Sequence, residues 1–388
     1  MKILICNAGS TSLKFKLWEM PEYAVLAEGK VERVGSDHGI FSYKCARGAI
    51  SRDELSVPDY TAGIGMFLDA LAASELRAVE DLSEIAAVGY KTVLSKDHYG
   101  VHELTDDVLD GMRAWFTVAP AHNGPYLEAI SVFQKLLPDV KQIGVFETNF
   151  HRTIPEERRV FPIPYEWTKK YGIRRMGYHG ASHGWIAERL KQYRRVVSCH
   201  LGGSASICAI LDGKSMDNSF GFSLQMGIPH ASRTGDVDSY IVPFLLEKGL
   251  TLDEIYDGLG KNGGLKGISG TSGDVRDIEA AIDAGSERAE LAMKVLATHV
   301  LRYIGAYSME IGGLDAVAFT GGIGENSVRL RRMVLQGMAH LGVQIDEAAN
   351  ERGSGERLVT APGSGVDVWI IPANEEFMVV RETYRKLL

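Results

Sequence analysis

MKILICNAGSTSLKFKLW, residues 1–18, carries two hydrophobic patterns in one short stretch. An apolar run, Ile3-Leu4-Ile5-Cys6, ends at Asn7, and a turn of small residues, Ala8-Gly9-Ser10-Thr11-Ser12, follows. Leu13, Phe15 and Leu17 then alternate with Lys14 and Lys16. A continuous apolar run before a tight turn and a period of two after it predict a buried strand that doubles back as an amphipathic one. Small residues in such a turn let backbone N–H groups and short hydroxyls crowd an anion, and Lys14 adds a point charge.

The plan recurs half a chain later, in Val196-Val197-Ser198-Cys199-His200-Leu201-Gly202-Gly203-Ser204-Ala205-Ser206. Cys199 stands for Cys6, His200 for Asn7 and Gly202 for Gly9, and alternation resumes at Ile207, Ala209 and Leu211. A repeat whose period is half the chain predicts two similar domains, not a solenoid. Two phosphate-gripping hairpins, one per domain, would clamp a polyphosphate in the cleft between them.

The chain has 388 residues, enough for two domains. With 45% hydrophobic and 24% charged residues it has the balance of a soluble globular protein. A net charge of −8 argues against a nucleic-acid or anionic-membrane partner. Met1 leads straight into a strand, so no signal peptide is expected, and no apolar run approaches a membrane span. Cys6, Cys45, Cys199 and Cys208 lack metal-type spacing, and reduced thiols in a cytoplasmic protein are expected.

Between the hairpins, strands alternate with helices. Short strands over 27–43, a helix over 59–76, a strand at 85–94, helices at 104–116 and 126–137, and a strand at 142–147 are predicted, with 119–123 as a break. A long helix over about 287–311 follows the second hairpin, with His299 beside its apolar stripe as a structural histidine. The strand at 315–320 runs into Gly321-Gly322-Ile323-Gly324-Glu325-Asn326-Ser327 and then a helix, a ready anion or nucleotide site. The 321–327 loop lacks the GxGxxG spacing of a dinucleotide fingerprint, and no GxxxxGK[ST] loop is present anywhere, which excludes the P-loop class. The alternation makes the fold class α/β.

Taken in order, NAGSTSLK (7–14), APAHN (119–123), FETNFH (146–151), YGIRRMGYHGASH (171–183), HLGGS (200–204), RTGD (233–236), GISG (267–270), DVR (274–276), FTGGIGENS (319–327) and NEE (374–376) resemble the acetate kinase family, within the sugar kinase and actin superfold. The resemblance covers almost the whole chain. It implies two duplicated ribonuclease-H-like (actin-like ATPase) domains: residues 1–150 with the C-terminal helix 376–388, and residues 151–375. It further implies a homodimer, ATP and a small carboxylic acid as substrates, and Mg²⁺, with Mn²⁺ as a substitute.

The resemblance places the metal near Asn7 and Glu375. It places the ATP phosphates at Lys14 and at His200, Leu201, Gly202, Gly203 and Ser204. The nucleoside falls at Asp274, Val275 and Arg276 and at Gly322, Ile323, Gly324, Glu325 and Asn326. His179 and Arg233 match the cations on the transferring phosphoryl group, Glu147 a catalytic Asp, and Lys91 the Arg that holds the acceptor carboxylate. Physical chemistry agrees with such roles: phosphoryl transfer needs alignment and positive charge over the equatorial oxygens. A carboxylate acceptor is already ionised and needs no base. Glu147 would then position the metal or its waters.

The departures gather on the acceptor side. Lys91 in GYKTVLSK (89–96) replaces a planar guanidinium fork by an ammonium. Around the small apolar pocket, Ala121 stands for a Leu, Tyr178 for a Phe and Leu224 for a Pro, while Val93 is kept. Ala121 makes room and Tyr178 adds a hydroxyl. The expected activity is reversible transfer of the ATP γ-phosphoryl to acetate or a related acid. The alternatives are a kinase or phosphohydrolase of the same fold with another acceptor, and a nucleotide-binding protein without transfer.

Overall fold

The computed structural model describes every residue except Ser74 and Ala119, and the side chains of all the others except Thr117, Pro120, Ala121 and His122. The chain forms two compact units, Met1–Asn149 with Asn374–Leu388, and Phe150–Ala373. The first holds β1 (Lys2–Gly9), β2 (Ser12–Glu19), β3 (Ala24–Glu32), β4 (Ser36–Cys45), β5 (Gly48–Val57), β6 (Ile85–Tyr90), β7 (Val101–Glu103) and β8 (Lys141–Val145), in the sheet order β5-β4-β3-β2-β1-β6-β8-β7. The second holds β9 (Arg195–His200), β10 (Ser206–Leu211), β11 (Lys214–Asn218), β12 (Ala316–Thr320), β13 (Arg357–Leu358) and β14 (Asp367–Ile370), in the order β11-β10-β9-β12-β14-β13.

The duplication is visible in the pairing. β1 is antiparallel to β2 and parallel to β6, and β6 is parallel to β8. In the second unit β9 is antiparallel to β10 and parallel to β12, and β12 is parallel to β14. Ile3, Leu4, Ile5 and Cys6 are all buried, as is every residue of β12, which explains continuous apolar runs with no polar face. The long helix Glu287–Glu310 is capped by Ser286, whose side chain accepts from the Ala289 N–H. It buries Met293, Leu296, Val300, Ile304 and Tyr307 at helical spacing.

The hairpins differ in their turns. Gly9 pairs with Ser12, leaving a tight turn at Ser10-Thr11, whereas His200 pairs with Ser206 and leaves Leu201–Ala205 as a wider loop. That loop bonds outward instead of across: Leu201 donates to the Thr320 carbonyl at 2.8 Å, and the Ala231 N–H donates to the Gly203 carbonyl at 3.0 Å.

Several boundaries move. The C-terminal helix Glu375–Leu387, capped by Asn374, packs on β1, β6 and β8 of the first unit, so Glu375 belongs there and not to the second. A Cβ on Gly89 of β6 would lie 2.5 Å from Thr383 Oγ1 of that helix, so glycine allows the approach. Of the expected break at 119–123, Ala119 lies outside the described residues and 120–123 open a helix instead: Pro120–Leu136 is one helix, and proline is well tolerated in a first helical turn. Residues 321–326 coil into a short helix where a glycine loop was expected. The helix Tyr60–Leu68 gives way to a π-helical turn, Asp69–Ala73.

Candidate active site

In the first unit three side chains from distant parts of the sequence meet. Lys91 follows β6, Glu147 follows β8, and Glu375 opens the C-terminal helix. Lys91 Nζ lies 3.0 Å from Glu147 Oε1 and 2.7 Å from Glu375 Oε2. Glu147 is 5% exposed. Burial opposes the Lys91 charge, but Glu147 and Glu375 outweigh it and hold the ammonium well above the usual lysine range. The ammonium expected to hold an acceptor is therefore already paired with two acids. Asn7, on β1, donates from Nδ2 to Glu376 Oε1 at 3.3 Å, and Lys16 pairs with Glu376 at 2.7 Å. The acceptor loop is pinned by buried Asn123, which donates to the carbonyls of Leu94 at 3.1 Å and Met112 at 3.0 Å. Val93 is buried there; the side chain of Ala121 lies outside the described residues. Lys14 is exposed on β2 with no ion pair among the described residues.

The donor set fits a hard divalent cation. The buried Asn7 Oδ1 has no hydrogen-bond partner among the described residues, and two carboxylates converge on one point beside Lys91. Among the described residues no group of three or more His, Cys, Asp or Glu is placed to hold a metal. Mg²⁺ asks for less, because it usually keeps waters and substrate phosphates beside one or two carboxylates.

The second unit gathers the other expected residues. His179 caps the helix Gly180–Arg189, and its ring lies 4.1 Å from that of His200. Arg233 donates from Nη1 to the Leu224 carbonyl at 2.8 Å and has no carboxylate partner among the described residues. Burial pushes its guanidinium down to about 10. Tyr178 is fully buried, and its hydroxyl donates to the Phe222 carbonyl at 2.7 Å. That bond fixes the direction of the hydroxyl proton.

Two of the segments expected at the nucleotide, 200–204 and 322–326, meet. The N–H groups of Ile323 and Gly324 donate to the Leu201 carbonyl at 2.8 and 3.1 Å, joining the loop 201–205 to the helix Gly321–Asn326. Gly321 has φ +75° and lies so close that a Cβ would meet Leu201 O at 2.8 Å. Among the described residues the N–H groups of Gly202, Gly203 and Ser204 make no hydrogen bond, which leaves them for an anion. Asp274 caps the helix Val275–Asp283 and pairs with Arg276 at 2.6 Å. Glu325 accepts from the Ala373 N–H at 3.0 Å, and Asn326 donates to the Gly322 carbonyl at 2.8 Å.

Three buried histidines predict an acid limit to stability. Burial lowers His151 to about 4 and His230 to about 3, and drives His183 well below the usual range. The unfolded chain binds protons at these sites near pH 6.5 and the folded one does not, so stability is full above pH 6.5 and is lost as pH falls toward 4. Each histidine contributes about 1.4 kcal/mol per pH unit in that window. The thermal midpoint is expected to fall steadily from pH 6.5 to 4.5, and His151→Gln to flatten the decline; a midpoint independent of pH would contradict this.

Two copies of one sheet plan, with a glycine-containing loop joined to a glycine-rich helix in the second, define a protein of the actin-like ATPase fold class. The chain belongs to the acetokinase family, whose model matches residues 2–381. It is 40% identical to an acetate kinase of Bacillus subtilis, over 99% of each chain, and to one of Geobacillus kaustophilus, over 99% of this chain and 98% of that one. Among solved structures it resembles an acetate kinase of Porphyromonas gingivalis (TM-score 0.89, 35% identity, all of both chains). It also resembles a propionate kinase of Francisella tularensis (TM-score 0.89, 31% identity, 98% of each).

Proposed function

We propose that the protein transfers the γ-phosphoryl group of ATP reversibly to a short-chain carboxylate, acetate or a near relative such as propionate. A carboxylate oxygen bonds to phosphorus as the bond to the β,γ-bridging oxygen breaks, giving an acyl phosphate and ADP. The observation that carries this reading is Arg233: a guanidinium lowered by burial, with no acid beside it among the described residues, is matched to an anionic group. Arg233 and His179 are assigned to the phosphoryl oxygens. The loop 200–204 and Lys14 are assigned to the phosphates, and 274–276 with 322–326 to the nucleoside. Lys91, Val93, Ala121 and Tyr178 are assigned to the acceptor. Mg²⁺, or Mn²⁺ in its place, would be held by Asn7 and Glu375 with Glu147 beside them, and when bound it neutralises phosphate charge.

The same reading makes the protein a cytoplasmic homodimer that uses neither nucleic acid nor membrane. Among the described residues no helix is long and apolar enough to cross a membrane. Tyr240, Phe244, Leu246, Leu252 and Tyr256 are all exposed on or beside two short helices, Ile241–Glu247 and Leu252–Gly260, an apolar surface that suits a second copy.

The test is hydroxylamine trapping with ATP and Mg²⁺ across a panel of acids. Hydroxamate is expected with acetate or propionate. ATP turnover without hydroxamate on any acid would move the assignment to another acceptor, and nucleotide binding without turnover would remove transfer altogether.

A further inference from the structure

His179 is held in place from two directions. Its φ of 57° lies in the left-handed region, a costly conformation for a residue with a side chain. The peptide before it is pinned at the Tyr178 carbonyl, which accepts from His151 Nε2 at 2.8 Å and from Asn218 Nδ2 at 3.2 Å. His151 Nδ1 in turn lies 2.8 Å from Ser215 Oγ. The imidazole is engaged separately, through Nδ1, which lies 2.8 Å from Ser206 Oγ.

Ser206 does not end there. Its Oγ is also 2.8 Å from His183 Nε2, and His183 Nδ1 is 2.8 Å from Ser198 Oγ. Ser206, His183 and Ser198 are completely buried, so a continuous chain, Ser198–His183–Ser206–His179, runs from the sheet interior to the histidine assigned to the phosphoryl group. Ser198 lies on β9, Ser206 opens β10, and His183 lies one helical turn after His179, so three elements supply the links.

We propose that Ser206 and His183 are positioning residues for phosphoryl transfer, which hold His179 in the tautomer that donates from Nε2. The proposal rests on the reading of His179 given above. A serine hydroxyl has one proton, and a neutral imidazole has one N–H. The chain can therefore run in only two directions. In the outward one, Ser198 donates to His183 Nδ1, His183 Nε2–H donates to Ser206 Oγ, and Ser206 donates to His179 Nδ1. His179 then carries its proton on Nε2, as a donor to phosphoryl oxygen. In the inward direction a neutral His179 carries its proton on Nδ1 and turns a lone pair toward that oxygen. A neutral imidazole is an effective donor to developing negative charge when its tautomer is fixed. Burial keeps His183 neutral, so it can donate through one nitrogen and accept through the other. Only a side chain with both capacities can set the direction of the Ser206 hydroxyl from a dry interior.

The test uses full-length protein with ¹⁵N-labelled histidine, the His179 signals being assigned by difference with a His179→Gln variant. The parent is expected to show His179 as the Nε2–H tautomer. Ser206→Ala is expected to mix the tautomers and to lower kcat about 10-fold, less than the roughly 10²-fold or more that follows outright removal of an aligned donor because the Nε2–H form stays populated part of the time, with KM for ATP and carboxylate changed less than about threefold. Should Ser206→Ala fail to fold, His183→Gln and His183→Met carry the test. A glutamine amide can donate to Ser206 and accept from Ser198, so it should keep the tautomer and most of kcat, whereas methionine should lose both. An Nδ1–H tautomer in the parent overturns the proposal. So does a Ser206→Ala variant with parental tautomer and kcat, or a methionine variant as active as the glutamine one. A parent that transfers to no carboxylate yet shows the Nε2–H tautomer, lost in Ser206→Ala, supports the relay and counts against the functional reading alone.

Discussion

Arg233→Met is expected to lower kcat about 10³-fold, with KM for ATP changed only a few-fold. A guanidinium that meets the phosphoryl group in flight acts mainly in the transition state, and such cations contribute about 10³ or more to the rate. On the proposed reading, binding of the resting nucleotide depends instead on the N–H groups of the 202–204 loop. Arg233→Lys should recover little, because an ammonium cannot reproduce the planar fork. The fold should survive, since among the described residues the Arg233 side chain makes one hydrogen bond, to the Leu224 carbonyl, and its burial is unfavourable. Steady-state kinetics and thermal melts check both halves. A kcat within tenfold of the parent, or a collapse in stability, would show that the guanidinium is structural.

Lys91→Met is expected to have the largest effect on the protein without substrate. It leaves Glu147 and Glu375 facing each other without the ammonium that bridges them at 3.0 and 2.7 Å. Removing one member of a fully buried ion pair costs about 3 kcal/mol, and less is expected here because the Lys91 and Glu375 side chains keep 24% and 23% exposure. The thermal midpoint should fall by several degrees. Mn²⁺, followed by electron paramagnetic resonance without nucleotide, should bind the variant more tightly than the parent, because the two carboxylates no longer have a resident cation. Added Mn²⁺ should then restore the lost stability by mass action. If Lys91 serves the acceptor alone, Mn²⁺ affinity and stability will not change and only the KM for the acid will rise.

Much of this was legible in the chain, and the exceptions share a cause. The hairpin at Met1–Trp18 and its copy at 196–206 announce two sheets because strand periodicity is local. The buried strands at 85–90 and 316–320 and the helix Glu287–Glu310 are visible for the same reason. β5 was missed because Arg52, Asp53 and Glu54 lie exposed in succession, so no alternation marks it. The pairing of Lys91 with Glu147 and Glu375 is invisible locally, because both acids lie far away in the sequence, one of them on the last helix. The bond from the Tyr178 hydroxyl to the Phe222 carbonyl is likewise invisible, because a backbone acceptor leaves no signature in the sequence. His183 and Ser206 stand in plain view in the motifs, but their meeting depends on the register of β10 against β9. Side-chain chemistry is written in the sequence, and long-range pairing is not.

The most direct measurement follows a carboxylate labelled with ¹⁸O in both oxygens, incubated with ATP, Mg²⁺ and the enzyme and observed by ³¹P nuclear magnetic resonance. The account predicts an acyl phosphate resonance shifted by one ¹⁸O in the bridge to phosphorus, appearing at the rate ADP is formed. Loss of ATP to inorganic phosphate alone, with no labelled acyl phosphate for any short-chain acid, would contradict it.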